Sequence, residues 1–308
     1  MNRWARLIEF RRDLTGLGNL SDLRLIRVGV FWLWLMGCGL SQAMTTITPA
    51  PTLPVTIPTP APIVTQEPIT TPAATPTPIP PDTGWLTLRP GLEQRTINLF
   101  DPATGQRRES LTILRLDPTA FRFNIAYHPG EPQDLTAWQA ETGALVVVNG
   151  GYFTPEYLAT GLIIVDGQAS GVSYEGFGGM VVIQDGDLTV RSLTDQPYDV
   201  TEPIAAALQS FPLLVKPGGL PGFPEEDNHF SRRTVIAQDR QGRVLFLVAP
   251  LGSFTLYQLS QWLVASDLEL DIALNLDGGT STGLLLADPP LHIASFDLLP
   301  VVITAASR

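Results

Sequence analysis

Ile272-Ala-Leu-Asn-Leu-Asp-Gly-Gly-Thr-Ser-Thr282 is an apolar strand that runs into a carboxylate and two glycines. Val146-Val-Val-Asn-Gly-Gly-Tyr-Phe153 repeats that layout with an amide in place of the acid. Short runs of Val, Ile and Leu that stop at glycine pairs read as buried strands ending in sharp turns. A polar side chain at such a strand end is held by a rigid frame and can face a cleft. It can equally do no more than bond its own backbone in the turn. One such corner reads as a turn; two of the same layout point to a site.

Working outward, the spacing predicts strands over Leu111–Leu116, Phe121–Ala126, Ala144–Val148, Leu162–Val165, Met180–Gln184, Leu188–Ser192, Thr234–Ala237, Val244–Val248, Ile272–Leu274 and Val301–Thr304. Asp185-Gly186 reads as a hairpin turn. A short helix is expected over Asp134–Glu141, stopped by Gly143, and a longer one over Thr255–Ser266, capped by Ser253 or Thr255. The pattern is α+β: a strand-rich mixed sheet core with a few packed helices, forming a single domain after an extended linker.

That linker stands out in the composition. Of the chain's 28 prolines, 12 fall between Pro49 and Pro81, and Glu67 is the only charge between Thr45 and Pro81. Proline fixes φ and lacks an N–H, so the segment reads as polyproline-II-like chain. Ahead of it, six arginines in the first 27 residues precede the apolar run Val28–Gly37, the pattern of a secretory signal. Leu35-Met-Gly-Cys38 resembles a bacterial lipoprotein cleavage box, which makes Cys38 the expected lipidation site. The expected organisation is a signal over 1–37, a lipid-anchored Thr/Pro-rich linker over 38–81 and a folded domain over 82–308. The domain is then extracytoplasmic, on the bacterial cell surface or periplasmic side, joined to the membrane through its N-terminal lipid or signal anchor.

The 308 residues carry 30 acidic against 19 basic side chains, a net charge of −11. Cleavage before Cys38 would take this to −14 by removing six arginines and three acids. So acidic a chain is a poor partner for nucleic acid. One cysteine excludes an intramolecular disulfide framework, and three histidines without metal-ligand spacing argue against a transition-metal site. No cofactor is expected, although Ca²⁺ or Mg²⁺ held by oxygen ligands such as Asp277 stays open. Two further segments carry cations: Asn228-His-Phe-Ser-Arg-Arg-Thr-Val-Ile-Ala237 and Phe211-Pro-Leu-Leu-Val-Lys-Pro-Gly-Gly219, with the chain's only lysine, Lys216. An arginine fork suits phosphate or carboxylate, but each of these cations could equally be a solvated surface charge.

In order and spacing, Asn149-Gly-Gly-Tyr-Phe153, Phe211–Gly218, Ser231-Arg-Arg-Thr-Val-Ile236, the Thr255–Leu263 helix and Asn275-Leu-Asp-Gly-Gly-Thr-Ser281 resemble the motifs of phosphodiester glycosidase domains. The chain departs from the family's usual glycine at Ala237 and Thr280. The resemblance covers roughly residues 110–305 and implies a sugar-1-phosphodiester substrate, carried on a sugar-phosphate-containing glycan. It implies Asp277 as base or nucleophile at C1 and Arg233 on the phosphate, with Asn149 and His229 as further catalytic candidates. Asn275, Phe153, Ser281 and Lys216 are expected to bind substrate, together with the backbone of Gly150, Gly151, Gly278 and Gly279. The competing expectation is a surface lipoprotein that binds phosphorylated glycans without turning them over.

Overall fold

The computed structural model describes residues 80–308. The expected signal, Cys38 and the linker up to Ile79 lie outside the described residues. Three sheets account for most of the domain, and every ladder between the described strands is antiparallel.

The largest sheet runs, in spatial order, β1 (Leu86–Arg89), β2 (Leu92–Phe100), β3 (Arg107–Leu116), β14 (Val244–Phe254), β13 (Ser231–Asp239), β15 (Leu270–Asn275), β11 (Leu213–Lys216) and β12 (Leu220–Pro221). The second runs β7 (Gln168–Ser170), β6 (Ile163–Val165), β10 (Ala206–Ser210), β8 (Gly179–Gln184) and β9 (Asp187–Ser192). The third runs β17 (Leu291–Ile293), β16 (Leu284–Leu286), β5 (Val146–Asn149), β18 (Val301–Ser307) and β4 (Phe121–Tyr127).

All three sheets feed one core. Leu114, Phe246, Ile236 and Leu274 from the first meet Val181 and Leu208 from the second and Phe123, Val146 and Ile303 from the third. Strand side chains alternate in direction, so the opposite faces need separate covers. Helix α2 (Leu256–Ala265) covers the first sheet, laying Leu259 and Leu263 on Val235, Ala237 and Leu247. Helix α1 (Leu135–Thr142) covers the third, laying Leu135 and Trp138 on Val147 and Val302.

Both helices end as their sequences dictate. The Asp134 side chain accepts from the Ala137 N–H at 2.8 Å, and Gly143 closes α1 in the left-handed conformation at φ 63°. Thr255, and not Ser253, caps α2, accepting from the Gln258 N–H at 3.1 Å. The Ser253 N–H instead donates to the buried carboxylate of Glu109, which also accepts from Leu251 and Ser110 N–H groups. The Asp185-Gly186 turn has both residues at positive φ, 54° and 85°, and joins β8 to β9 as expected.

Candidate active site

Strands β5 and β15 belong to different sheets, yet their glycine-ended corners meet. Asn149 closes β5 and is fully buried. Its Oδ1 accepts from the Thr234 hydroxyl at 2.8 Å and the Gly283 N–H at 3.0 Å, and its Nδ2 donates to the Asp277 carbonyl at 2.8 Å. The Asp277 N–H in turn donates to the Gly150 carbonyl at 3.0 Å. One corner thus grips the backbone of the other on both sides of Asp277. The grip leaves the Asp277 side chain a separate job: Oδ1 accepts from the Gly278 N–H at 2.9 Å, turning the carboxylate over the second glycine pair.

Arg233 reaches the same corner from β13. The β13–β15 ladder pairs Val235 with Asn275, so Arg233 stands two residues on, opposite Asp277. A Cβ on Gly278 would lie 4.0 Å from the Arg233 Cδ and only 2.8 Å from the Arg232 carbonyl, so glycine is needed for the two chains to approach this closely. Arg233 is 6% exposed as a residue, and its guanidinium is held from behind by main-chain oxygens: Nε donates to the Phe254 carbonyl at 3.3 Å and Nη2 to the His229 carbonyl at 2.5 Å. It makes no ion pair with a carboxylate among the described residues. Burial pushes its pKa below the ordinary arginine value, against a smaller opposing pull from Tyr152 and Asp227. Its neighbour Arg232 turns elsewhere, donating to the Ala294 carbonyl at 2.8 Å and lying 4.1 Å over the Phe296 ring.

An aromatic wall completes the corner. Tyr152 stacks on Phe211 with centroids 4.7 Å apart, Tyr174 stacks on Phe177 at 5.0 Å, and Tyr174 meets Phe211 edge-on at 5.5 Å. Asn275 ties the wall to β15: its Nδ2 donates to the Tyr152 hydroxyl at 2.7 Å and to the Phe211 carbonyl at 3.1 Å. Burial raises the Tyr174 pKa, and the Asp277 charge raises it further, so the phenol stays protonated beside the carboxylate. Gln209, 1% exposed, bonds the Tyr174 N–H and the Ser173 hydroxyl and fixes the segment that carries Tyr174.

The structure sorts the expected site residues. Asn149, Arg233, Asn275, Asp277, Gly278 and Gly279 come together at the corner. The N–H groups of Gly150 and Gly278 are already engaged, by the Val301 carbonyl and by Asp277, whereas those of Gly151 and Gly279 have no acceptor among the described residues. Ser281 is buried in the 3₁₀ turn Gly279–Ser281. His229 meets Arg233 through its carbonyl, and the residue is exposed. Phe153 stacks on Tyr157 at 5.8 Å and packs with the Trp138 cluster. Lys216 is not at the corner: β11 meets Leu274 through Leu213, three residues away, and Lys216 pairs with Leu220 near the start of β15. No group of three or more His, Cys, Asp or Glu side chains suited to a metal ion occurs among the described residues.

Tyr152, Tyr174, Phe177, Gln209 and Thr234 complete the arrangement without having been singled out as site residues in the sequence. Tyr174 and Phe177 did leave a sign there: they lie in a short stretch holding Gly171, Gly176, Gly178 and Gly179, an unusual setting for two aromatic rings. A buried guanidinium facing a carboxylate, with N–H donors and aromatic faces alongside, can bind an anionic group and a sugar ring together.

A phosphodiester glycosidase family profile matches residues 142–297, just over half of the chain and the whole of this corner. Among solved structures, the catalytic domain of zebrafish N-acetylglucosamine-1-phosphodiester alpha-N-acetylglucosaminidase, auto-inhibited by its pro-peptide, matches with TM-score 0.54 and 19% identity over 71% of this chain and 85% of that one. A hypothetical protein from Synechocystis matches with TM-score 0.53 and 14% identity over 75% of this chain and 64% of that one. No match was found among curated protein sequences. At these identities the two structures speak for the fold, and the profile speaks for the family: the chain belongs to the phosphodiester glycosidases and is a hydrolase of phosphodiester-linked sugars.

Proposed function

We propose that the chain cleaves the C1–O bond of a sugar-1-phosphodiester, with Arg233 on the phosphate and Asp277 at C1. The observation that carries this reading is the Arg233 guanidinium, buried, backed by two carbonyls and in no salt bridge among the described residues. A buried charge is costly unless it is closely paired, and a bound phosphate would supply an anion in direct contact. Water adds to C1 and the C1–O bond breaks, leaving a free sugar and a phosphate monoester. The departing monoester is a good leaving group, so the need for a second carboxylate as general acid is weaker than in ordinary glycosidases. Preorganised positive charge on the departing oxygens does more. Asp277 acts as base toward water or as nucleophile. The Gly151 and Gly279 N–H groups add donors, and the Tyr152–Phe211 and Tyr174–Phe177 rings offer faces for the sugar.

Asn149 serves in this reading as a positioning residue, because its amide is already bonded to Thr234, Gly283 and the Asp277 backbone. Asn275 likewise holds the aromatic wall, and His229 contributes its carbonyl behind Arg233. The basic leader, the Leu35-Met-Gly-Cys38 box and the Pro-rich linker support an extracytoplasmic, lipid-anchored enzyme acting on an envelope or cell-surface glycan.

Release of free sugar from an aryl-phosphodiester sugar tests the assignment. Asp277→Asn keeps an acceptor for the Gly278 N–H, so its thermal midpoint should stay near wild type while kcat falls about 10²–10⁴-fold. Full activity in this variant would remove Asp277 from the mechanism. A wild-type chain that bound the substrate but released no sugar would leave only the binding protein.

A further inference from the structure

A groove of about 640 Å³ opens on the helix-covered side of the large sheet, walled by Leu99, Phe100, Arg108, Phe230, Phe254 and Trp262. Phe100 and Phe230 are exposed, and the Phe254 and Trp262 ring centroids lie 6.3 Å apart. Phe254 gives its carbonyl to Arg233, but the groove's own lining contains none of the groups placed at the catalytic corner. Four aromatic rings in one open groove is the lining that extended proline-rich chains recognise.

The first described residues lead to it. Thr83 donates to the Thr96 carbonyl at 3.1 Å, Asp82 bridges Ile97, and Asn98 takes hold of both preceding prolines. Its N–H donates to the Pro81 carbonyl at 2.7 Å and its Nδ2 to the Pro80 carbonyl at 2.8 Å. Read backwards from Thr83 to Pro80, the chain advances along β2 from Thr96 to Asn98. The next positions on β2 are Leu99 and Phe100, the rim of the groove. The residues immediately before Pro80 are Ala73-Ala-Thr-Pro-Thr-Pro-Ile79. Prolines at 76, 78 and 80 fix φ near the polyproline-II value, so the composition of this segment favours an extended chain. In polyproline-II form its seven residues would span about 22 Å. The segment carries no charge and consists of alanine, threonine, proline and isoleucine, a composition suited to an aromatic lining.

We propose that Ala73–Ile79 of the chain itself occupies this groove as an extended polyproline-II segment, so that the end of the linker is docked onto the domain. Disulfide trapping in the full-length chain tests it, in a Cys38→Ser background that removes the only native cysteine. Thr77→Cys with Gln258→Cys places one thiol on the segment and one on the groove wall. Thr77→Cys with Thr104→Cys is the control, since Thr104 sits in the exposed turn just past Phe100, outside the groove lining. The groove pair should cross-link at least about tenfold faster than the control pair. Adding Pro76→Gly and Pro78→Gly, which relaxes the extended form, should slow it about fivefold or more. Equal rates for the two pairs would overturn the proposal. A fast groove pair indifferent to the glycine substitutions would also overturn it, since nearness through the tether alone would then explain the bond.

Discussion

The corners at Asn149-Gly-Gly and Asp277-Gly-Gly have nearly the same sequence layout and opposite uses. At the first, the polar side chain is turned inward and bonded to three separate elements through Thr234, Gly283 and Asp277. A Cβ on Gly150 would strike Val301 at 2.9 Å and Leu208 at 3.0 Å, so that glycine serves packing. At the second, the polar side chain is a carboxylate turned over Gly278 beside a buried guanidinium. Like motifs therefore divide the labour: an amide, which donates and accepts, fits the role of bracket, whereas a carboxylate, which only accepts, is the group the proposed reaction uses at C1.

That division can be broken from either side. The largest effect is expected at Arg233: Arg233→Met should lower kcat/KM about 10²–10³-fold, the size seen when one preorganised donor to transition-state charge is removed. Arg233→Lys should restore little of it, because a lysine cannot use the two-carbonyl cradle and a phosphate fork together. An Arg233→Met enzyme of near wild-type efficiency would place the phosphate elsewhere. Next comes Asn149→Ala, which strands the Thr234 hydroxyl, the Gly283 N–H and the Asp277 carbonyl. Urea unfolding should show a loss of about 3 kcal/mol, from buried groups left without partners. If Asn149→Ala kept its stability but lost its rate as Asp277→Asn does, the bracket and the reactive group would be one unit and the comparison would fail. The smallest effect is expected at Lys216→Ala, with kinetics and stability unchanged within about 0.5 kcal/mol, as for a surface side chain away from the corner. A rise in KM there would bring the lysine back into the site.

Much of the frame was legible because local signals agree with the fold. Asp134 and Gly143 bound α1, Thr255 starts α2, and Asp185-Gly186 turns β8 into β9, each for a reason contained in a few neighbouring residues. The strands that escaped notice lack such agreement. Ala206-Ala-Leu-Gln-Ser210 is composed mainly of good helix formers, yet it is the central strand of the second sheet because every one of its side chains is buried there. In β2, Arg95 is buried, and its guanidinium is held by Asp82 and Asp267, 13 and 172 positions away. No short window of sequence contains that pairing. The pairing of Asn149 with Asp277 was readable as a likeness between corners, and Arg233 joined them through the family resemblance. Which of the two polar side chains is bound into the protein was not, because that depends on Thr234 and Gly283 arriving from elsewhere in the chain. The position of Lys216 was hidden for the same reason: its distance from Asp277 is set by the β11–β15 register.

The claim under all of this is that water attacks carbon and not phosphorus. Hydrolysis of a sugar-1-phosphodiester by the full-length chain in ¹⁸O-labelled water, read by mass spectrometry of both products, tests it most directly. The Arg233–Asp277 geometry predicts the label in the C1 hydroxyl of the released sugar and none in the phosphate monoester. Label in the phosphate would contradict it.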